Sequence, residues 1–463
     1  MNISLGNNLE HAVEADRQNI WHQMSQHKAY ETTDPWLVVE GSGMRVWDAI
    51  GQEYLDFTAG GVWTSNVGYG RKRIGEAMLA QLSKLQFFAG TAGSVPGAMF
   101  AERLLEKMPG MSRVYYATSG SEANEKVFKM VRQISALRHG GKKNKILFKE
   151  REYHGSTLGA LAATGQAERF AQYGPLPEGF VQVPHCLEYR KQWDCADGAE
   201  YGRRAADAIE EVILREGPDT VGALCMEPIT AGGGVIVPPE GYWPRVQEIC
   251  QKYDILLHVD EVVCGLGRTG KWFGYQHFDI QPDFVTTAKG VASGYAAIGC
   301  AIASERVFDM FKATPEDPMA FFRDISTFGG CVGGPTAALE NLAIIEEENL
   351  VENAAEMGDY LHTRLRELQD KHPSIGDVRG KGLLQGVELV ADRATRTPVH
   401  ESKTFAMVAE TKKNGVLISM MNRAVPELNT TLCIAPALIV TRQNVDELYD
   451  AMDAALTTVF GAE

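Results

Sequence analysis

No run of about 18 apolar residues occurs anywhere in the chain, so no transmembrane helix is expected. Positive charge is not in excess. The 463 residues carry a formal net charge of −15, which argues against nucleic acid and against anionic membrane surfaces as partners. Small anionic substrates stay open, because they respond to local charge. The eight cysteines are scattered, and no two have metal-ligand spacing. Most sit in apolar runs, so reduced core thiols in a cytoplasmic protein are expected, with no metal site. Residues 1–18 are polar and include Glu10, Glu14 and Asp16. They have neither the apolar core of a signal peptide nor the acid-poor character of a transit peptide. There is no internal repeat and no low-complexity linker.

What is there is an ordinary globular composition, 44% hydrophobic and 23% charged. The length exceeds what one core accommodates, so two or three domains are expected. Residues 1–30 read as a polar lead and a helix with Ile20, Trp21 and Met24 on one side. Short strands at 36–39, 44–47 and 54–57 make a small antiparallel sheet. A glycine-rich loop with Trp63 and Tyr69 follows. From about 72 to 330, helical stretches alternate with short apolar runs, as in a mostly parallel sheet covered on both faces. After about 335, two long helical patterns lead into strands, among them one run over 416–420, and a final helix at 442–459. The expected class is α/β with a smaller α+β domain. The divisions are 1–65 (packing with the small domain), 66–335 and 336–463.

Several strand ends carry groups able to do chemistry. Phe284–Thr287 is a buried run followed by Ala288 and Lys289. An amine in a desolvated pocket becomes a nucleophile toward carbonyls, although a lone lysine is more often solvated. Val221–Met226 ends at Glu227, and Ile255–Val259 ends at Asp260. Buried carboxylates need partners, and this face of an open sheet is where ligands bind. Ser119-Gly120-Ser121-Glu122-Ala123-Asn124 opens a helix and suits an anion or an ordinary N-cap. It lacks the lysine of a Walker A loop and the G-x-G-x-x-G of a dinucleotide turn. Tyr153-His154-Gly155-Ser156 follows another strand and offers an aromatic face. Pyridoxal phosphate (PLP) needs an amine, an anion for its ring nitrogen, phosphate donors and an aromatic face. Lys289, Asp260, Gly120 with Ser121, and Tyr153 supply those four needs.

With Leu257–Gly270, and Pro282-Asp283 through Lys289-Gly290, the chain resembles the class III PLP-dependent aminotransferases. The resemblance runs from about residue 20 onward and implies PLP fold type I. It makes Lys289 the lysine that bonds the cofactor and shuttles the proton. Asp260 pairs with the pyridine nitrogen, and Val262 and Tyr153 cover the two ring faces. Gly120 and Ser121 hold the phosphate, while His154 and Glu227 join the cofactor-binding set. Thr327 matches the threonine that reaches the phosphate from a partner subunit, implying a homodimer with shared sites, able to pair into a tetramer. The family's usual Asn-Pro or His-Pro is replaced by Cys331-Val332.

Cys433 stands where 2-oxoglutarate users of the family carry an arginine. Trp63, Phe88 and Arg423 resemble the substrate residues of pyruvate-using ω-aminotransferases. There the arginine swings in to bind an anion and out to admit an uncharged amine. The glycine-rich loop is most similar to members that take taurine, so transfer from taurine to pyruvate is expected. β-Alanine, other amines, or an aminomutase or racemase reaction are alternatives.

Overall fold

The computed structural model describes residues 9–421 and 425–461. Along the chain come α1 (Leu9–Asn19), β1 (Val38–Ser42), β2 (Arg45–Asp48), β3 (Glu53–Asp56), α2 (Lys72–Leu82) and α3 (Val95–Glu106). The middle holds β4 (Met111–Ala117), α4 (Gly120–His139), β5 (Lys145–Lys149), α5 (Leu158–Ala162), α6 (Ala167–Phe170) and β6 (Phe180–Val183). It continues with α7 (Gly198–Glu216), β7 (Val221–Met226), α8 (Tyr242–Lys252), β8 (Leu256–Asp260), β9 (Phe284–Thr287), β10 (Gly299–Ser304) and α9 (Glu305–Asp309). The last part has α10 (Gly333–Glu347), α11 (Leu350–Lys371), β11 (Ile375–Lys381), β12 (Leu384–Asp392), β13 (Thr397–Pro398) and α12 (Glu401–Lys413). It closes with β14 (Val416–Leu417), β15 (Ser419–Met421), β16 (Thr431–Ile434) and α13 (Arg442–Phe460).

The central sheet has seven strands in the order β4-β10-β9-β8-β7-β5-β6. Only β10 is antiparallel to its neighbours; the run from β9 to β6 is parallel throughout. Every residue of β7, β8, β9 and β10 is buried, as expected for strands covered on both faces. The carboxyl ends of β5, β7, β8 and β9 therefore point to one side. There each chain leaves an apolar run for a polar loop, and the charged side chains gather. Helix α4 begins on the same side. Ser119, with extended backbone, caps it by accepting a hydrogen bond from the Glu122 N–H at 3.2 Å.

Two local expectations are corrected, and one strand went unread. Helix α1 stops at Asn19, and Ile20, Trp21 and Met24 lie beyond it, exposed. The strand read over 416–420 is broken at Ile418. β14 pairs in parallel with β3, extending the N-terminal sheet, whereas β15 pairs antiparallel with β16. One apolar run thus serves two sheets, which its hydrophobicity alone cannot express. The four-residue edge strand β6 is too short to stand out from the loop before it.

Arg268 ties the segments together. Its guanidinium is fully buried and donates to the carbonyls of Leu383 (3.2 Å) and Pro436 and to Asn66 Oδ1 at 2.7 Å. Burial pulls this group down to about 10. Asn66 in turn donates to the Leu266 carbonyl at 2.9 Å.

Candidate active site

The strand ends frame a cavity of about 470 Å³ whose lining includes Gly120, Ser121, Tyr153, His154, Asp260, Val262 and Lys289. At its floor, Asp260 is 2% exposed. Its Oδ2 accepts from His154 Nδ1 and Asn124 Nδ2, both at 2.8 Å, and its Oδ1 accepts from the Val262 N–H at 3.0 Å. Asn124 is itself fixed, because its Oδ1 accepts from the Thr286 hydroxyl at 2.7 Å. Burial works to raise the Asp260 carboxyl, but the hydrogen bond and charge of His154 outweigh it and hold the group below the usual carboxylate range. Burial would likewise lower the His154 imidazole; Cys225, Asp260 and Glu152 overcome this and hold it well above its ordinary value. Burial pushes the Cys225 thiol up to about 11.

Lys289 follows β9 in a short helical turn with φ +44, the left-handed region a side chain enters at some cost. Its Nζ lies 5.6 Å from the centre of the Trp63 ring. Burial lowers its amine below the ordinary lysine value, against the opposing pull of Asp260 and Glu227. Gly290 must be a glycine here: a Cβ would stand 2.3 Å from Asn66 Nδ2. Trp63 also has positive φ, at +61, and its indole N–H is buried without a hydrogen-bond acceptor among the described residues.

The start of α4 forms the other wall. The N–H groups of Gly120 and Ser121 precede the first helical acceptor and remain available to an anion. A Cβ on Gly120 would lie 2.8 Å from Val262 Cγ2, so glycine lets the helix start approach Val262. Ser121 Oγ accepts from the Ser156 N–H at 3.1 Å, joining this turn to the Tyr153 loop.

The structure brings Gly120, Ser121, Tyr153, His154, Asp260, Val262 and Lys289 to one cavity, with Trp63 beside the amine. Other expected residues fall elsewhere. Glu227 is buried behind the wall, accepting from the N–H groups of Tyr153 (3.2 Å) and Ala231 (2.9 Å). Burial, with Glu152 and Asp260 nearby, pushes it up to about 8. Phe88 is 61% exposed, and its N–H donates to the Gly330 carbonyl at 3.3 Å, in the turn Thr327–Gly330. Phe88 and the exposed Thr327 thus share one surface of this chain and do not line the cavity of the same chain. Arg423 lies outside the described residues. Cys433 is fully buried in an apolar cluster with Ile229, Ala231 and Met421, on which Trp63 packs.

Two residues escaped the sequence reading. Asn124 lies inside the quoted helix motif, four residues beyond Gly120, but its role emerges only where α4 meets β8 and β9. Arg169, on α6, holds its guanidinium 5.3 Å from the centre of the Tyr153 ring. Its Nε donates to Gln166 Oε1 at 3.3 Å, and it has no acidic partner among the described residues.

A free amine, a buried carboxylate held anionic, unspent N–H donors at a helix start and the Tyr153 and Val262 side chains meet in one space. That set fits an aromatic aldehyde bearing a phosphate and a ring nitrogen, the chemical description of PLP. Comparison with known proteins agrees. The family model for class-III aminotransferases matches residues 26–456. The chain is 64% identical to the hypotaurine/taurine–pyruvate aminotransferase of Paracoccus denitrificans, over 98% of each chain. It is 65% identical to the taurine–pyruvate aminotransferase of Rhodobacter capsulatus, over 96% of each. Among solved structures, a Bacillus anthracis aminotransferase superposes with a TM-score of 0.92 at 36% identity, covering 98% of this chain and 99% of that one. The fold is PLP fold type I, and the chain belongs to the class-III aminotransferases, which work with pyridoxal phosphate.

Proposed function

We propose that this enzyme transfers the amine of taurine to pyruvate, giving sulfoacetaldehyde and L-alanine by a ping-pong course. The observation that carries the chemistry is Lys289, a desolvated amine, sharing one cavity with the anionic Asp260. The donor and acceptor are supported by relatives at 55–65% identity whose names state taurine and pyruvate. Cys433 fits this reading, since 2-oxoglutarate would lose there the bidentate clamp that an arginine gives its α-carboxylate.

When bound, PLP supplies an aldehyde for the amine and a ring that accepts an electron pair. Asp260 would supply the negative charge for the ring nitrogen. The N–H groups of Gly120 and Ser121 and the Ser121 hydroxyl would hold the phosphate, and Val262 and Tyr153 would confine the ring. Lys289 Nζ takes the proton from the amine-bearing carbon of the donor, which its lowered basicity suits. Glu227 acts at one remove, fixing the Tyr153 backbone. The sulfonate lies toward Trp63 and the field of Arg169, with Arg423 as a further cation.

Phe88 and Thr327 complete the site of a second copy. The exposed Phe87, Phe88, Ile325 and Phe328 give that surface an apolar character suited to a homodimer contact. The division at residues 65 and 335, and a cytoplasmic setting for the eight free cysteines, belong to the same reading. Among the described residues, no helix is long and apolar enough to cross a membrane.

A donor panel tests the proposal. Taurine, hypotaurine, β-alanine and 1-phenylethylamine are each paired with pyruvate and with 2-oxoglutarate, and alanine or glutamate formation is followed. Taurine with pyruvate should lead. Much faster turnover of β-alanine or 1-phenylethylamine, or preference for 2-oxoglutarate, overturns the substrate assignment; amine transfer without any keto acid overturns the reaction type.

A further inference from the structure

Behind the Asp260–His154 pair lie two more charges that the chemistry above does not use. Lys149 closes β5 and Glu152 follows three residues later. Both side chains are 0% exposed, with Lys149 Nζ 2.9 Å from Glu152 Oε1. The two are neighbours in the chain, and only Glu152 reaches a distant segment, the loop after β7. Buried ion pairs seldom repay their desolvation, and apolar replacements are often neutral or stabilising. Keeping one here calls for another reason.

The contacts of Glu152 suggest it. Its Oε1 also accepts from the Glu227 N–H at 3.1 Å and the Thr230 hydroxyl at 3.0 Å. Its Oε2 faces His154 Nε2 at 3.5 Å, and neither of these two atoms has a hydrogen-bond partner among the described residues. On the other side of the ring, His154 Nδ1 meets Asp260. From Lys149 through Glu152 and His154 to Asp260 the order is cation, anion, cation, anion, ending at the cavity. We infer that Lys149 and Glu152 are positioning residues that keep His154 an imidazolium and, through it, hold Asp260 as the anionic partner of the cofactor's ring nitrogen. This rests on the cofactor reading above.

The neighbours leave the field to this string. From β7 and the loop after it, Cys225 stays a thiol and Glu227, at about 8, is mostly uncharged at neutral pH. From β8, burial takes His258 down to about 3, so it is neutral. From α8, the Tyr242 ring lies 5.5 Å from Lys149 Nζ, and burial raises both its hydroxyl and the Cys186 thiol. Lys289 lies across the cavity with its amine lowered by burial, and beside Lys149, burial with Arg151 takes His185 down to about 3. Burial opposes the charge on Lys149, but Glu152 outweighs it and holds the amine above its usual value.

Two measurements on the holoenzyme test the inference. Neutron diffraction or ¹⁵N-histidine NMR at about pH 7 should find protons on both ring nitrogens of His154; a singly protonated ring overturns the proposal whatever the variants do. Cofactor affinity, measured by titrating apoenzyme with PLP, should show in the wild type only the transitions of PLP, Lys289 and Glu227. In E152Q, and in K149M/E152L, which removes both charges together, it should fall about tenfold across an added transition near the ordinary histidine range. A wild-type profile at wild-type affinity in the double variant overturns the proposal even if E152Q does not fold. A wild type that binds no PLP instead sinks the cofactor reading, and a donor other than taurine leaves this inference untouched.

Discussion

At the Asp260 end of the cavity, both carboxylate oxygens are held by named donors from three different elements. At the Trp63 end, among the described residues, the indole N–H has no acceptor, and the Arg169 guanidinium meets the Tyr153 ring and the neutral Gln166 but no carboxylate. The first end stands on strands β5, β7 and β8 and on the start of α4. The second stands on the glycine-rich loop and the four-residue α6. The Asp260 carboxylate is therefore saturated before any ligand arrives, whereas the Trp63 end holds hydrogen-bonding capacity in reserve. Unpaired polar groups are costly unless a ligand pairs them, which is how a site rejects donors that lack the matching group.

Substitutions at the two ends should separate along that line. The largest effect is expected for Lys289→Ala, which removes the amine common to every donor. Turnover should fall by about 10³-fold or more with taurine and with uncharged amines alike, seen in steady-state kinetics and in loss of the yellow colour of the purified protein. A loss confined to one donor would break the comparison at its strong end. Arg169→Gln should spare that colour. Its apparent KM for taurine should rise roughly tenfold to a hundredfold, with 1-phenylethylamine nearly unaffected, in line with one charge-assisted contact. Equal losses for both donors would mean that Arg169 serves the Tyr153 ring and not the sulfonate.

Phe88→Ala should act through a second copy. A several-fold drop in activity that deepens on dilution, with a matching shift in sedimentation, is expected if the exposed surface is an interface. The smallest effect concerns Glu227. Its folded value, about 8, lies above its ordinary 4.5, so the stability it contributes is fully present below about pH 4.5 and is lost as pH rises through 8. Apoenzyme carrying Glu227→Gln should therefore lose less melting temperature between about pH 6 and 9 than wild type, by about 2 °C, measured calorimetrically.

The saturated end was legible in the sequence because its logic is local. A fully buried strand reads as an apolar run, and the charged residue that ends it stands out, as Asp260 and Lys289 do. The open end was not. Trp63 and Phe88 look alike as loop aromatics, yet one faces Lys289 and the other shares an exposed surface with Thr327. Arg169 sits on a helix too short to show a period, and Asn124 gains its role only from the meeting of α4 with two strands. The same limit hid the break at Ile418, where one apolar run divides between two sheets.

The buried guanidinium of Arg268 bears on how substrates enter. It clamps Asn66, Leu383 and Pro436 together from positions far apart in the chain. A junction whose removal would strand several buried acceptors is a poor hinge. Opening and closing are thus left to side chains and short loops around Trp63 and α6. Such gates rearrange faster than whole layers can slide, and engineering access for larger amines is best directed at the rim.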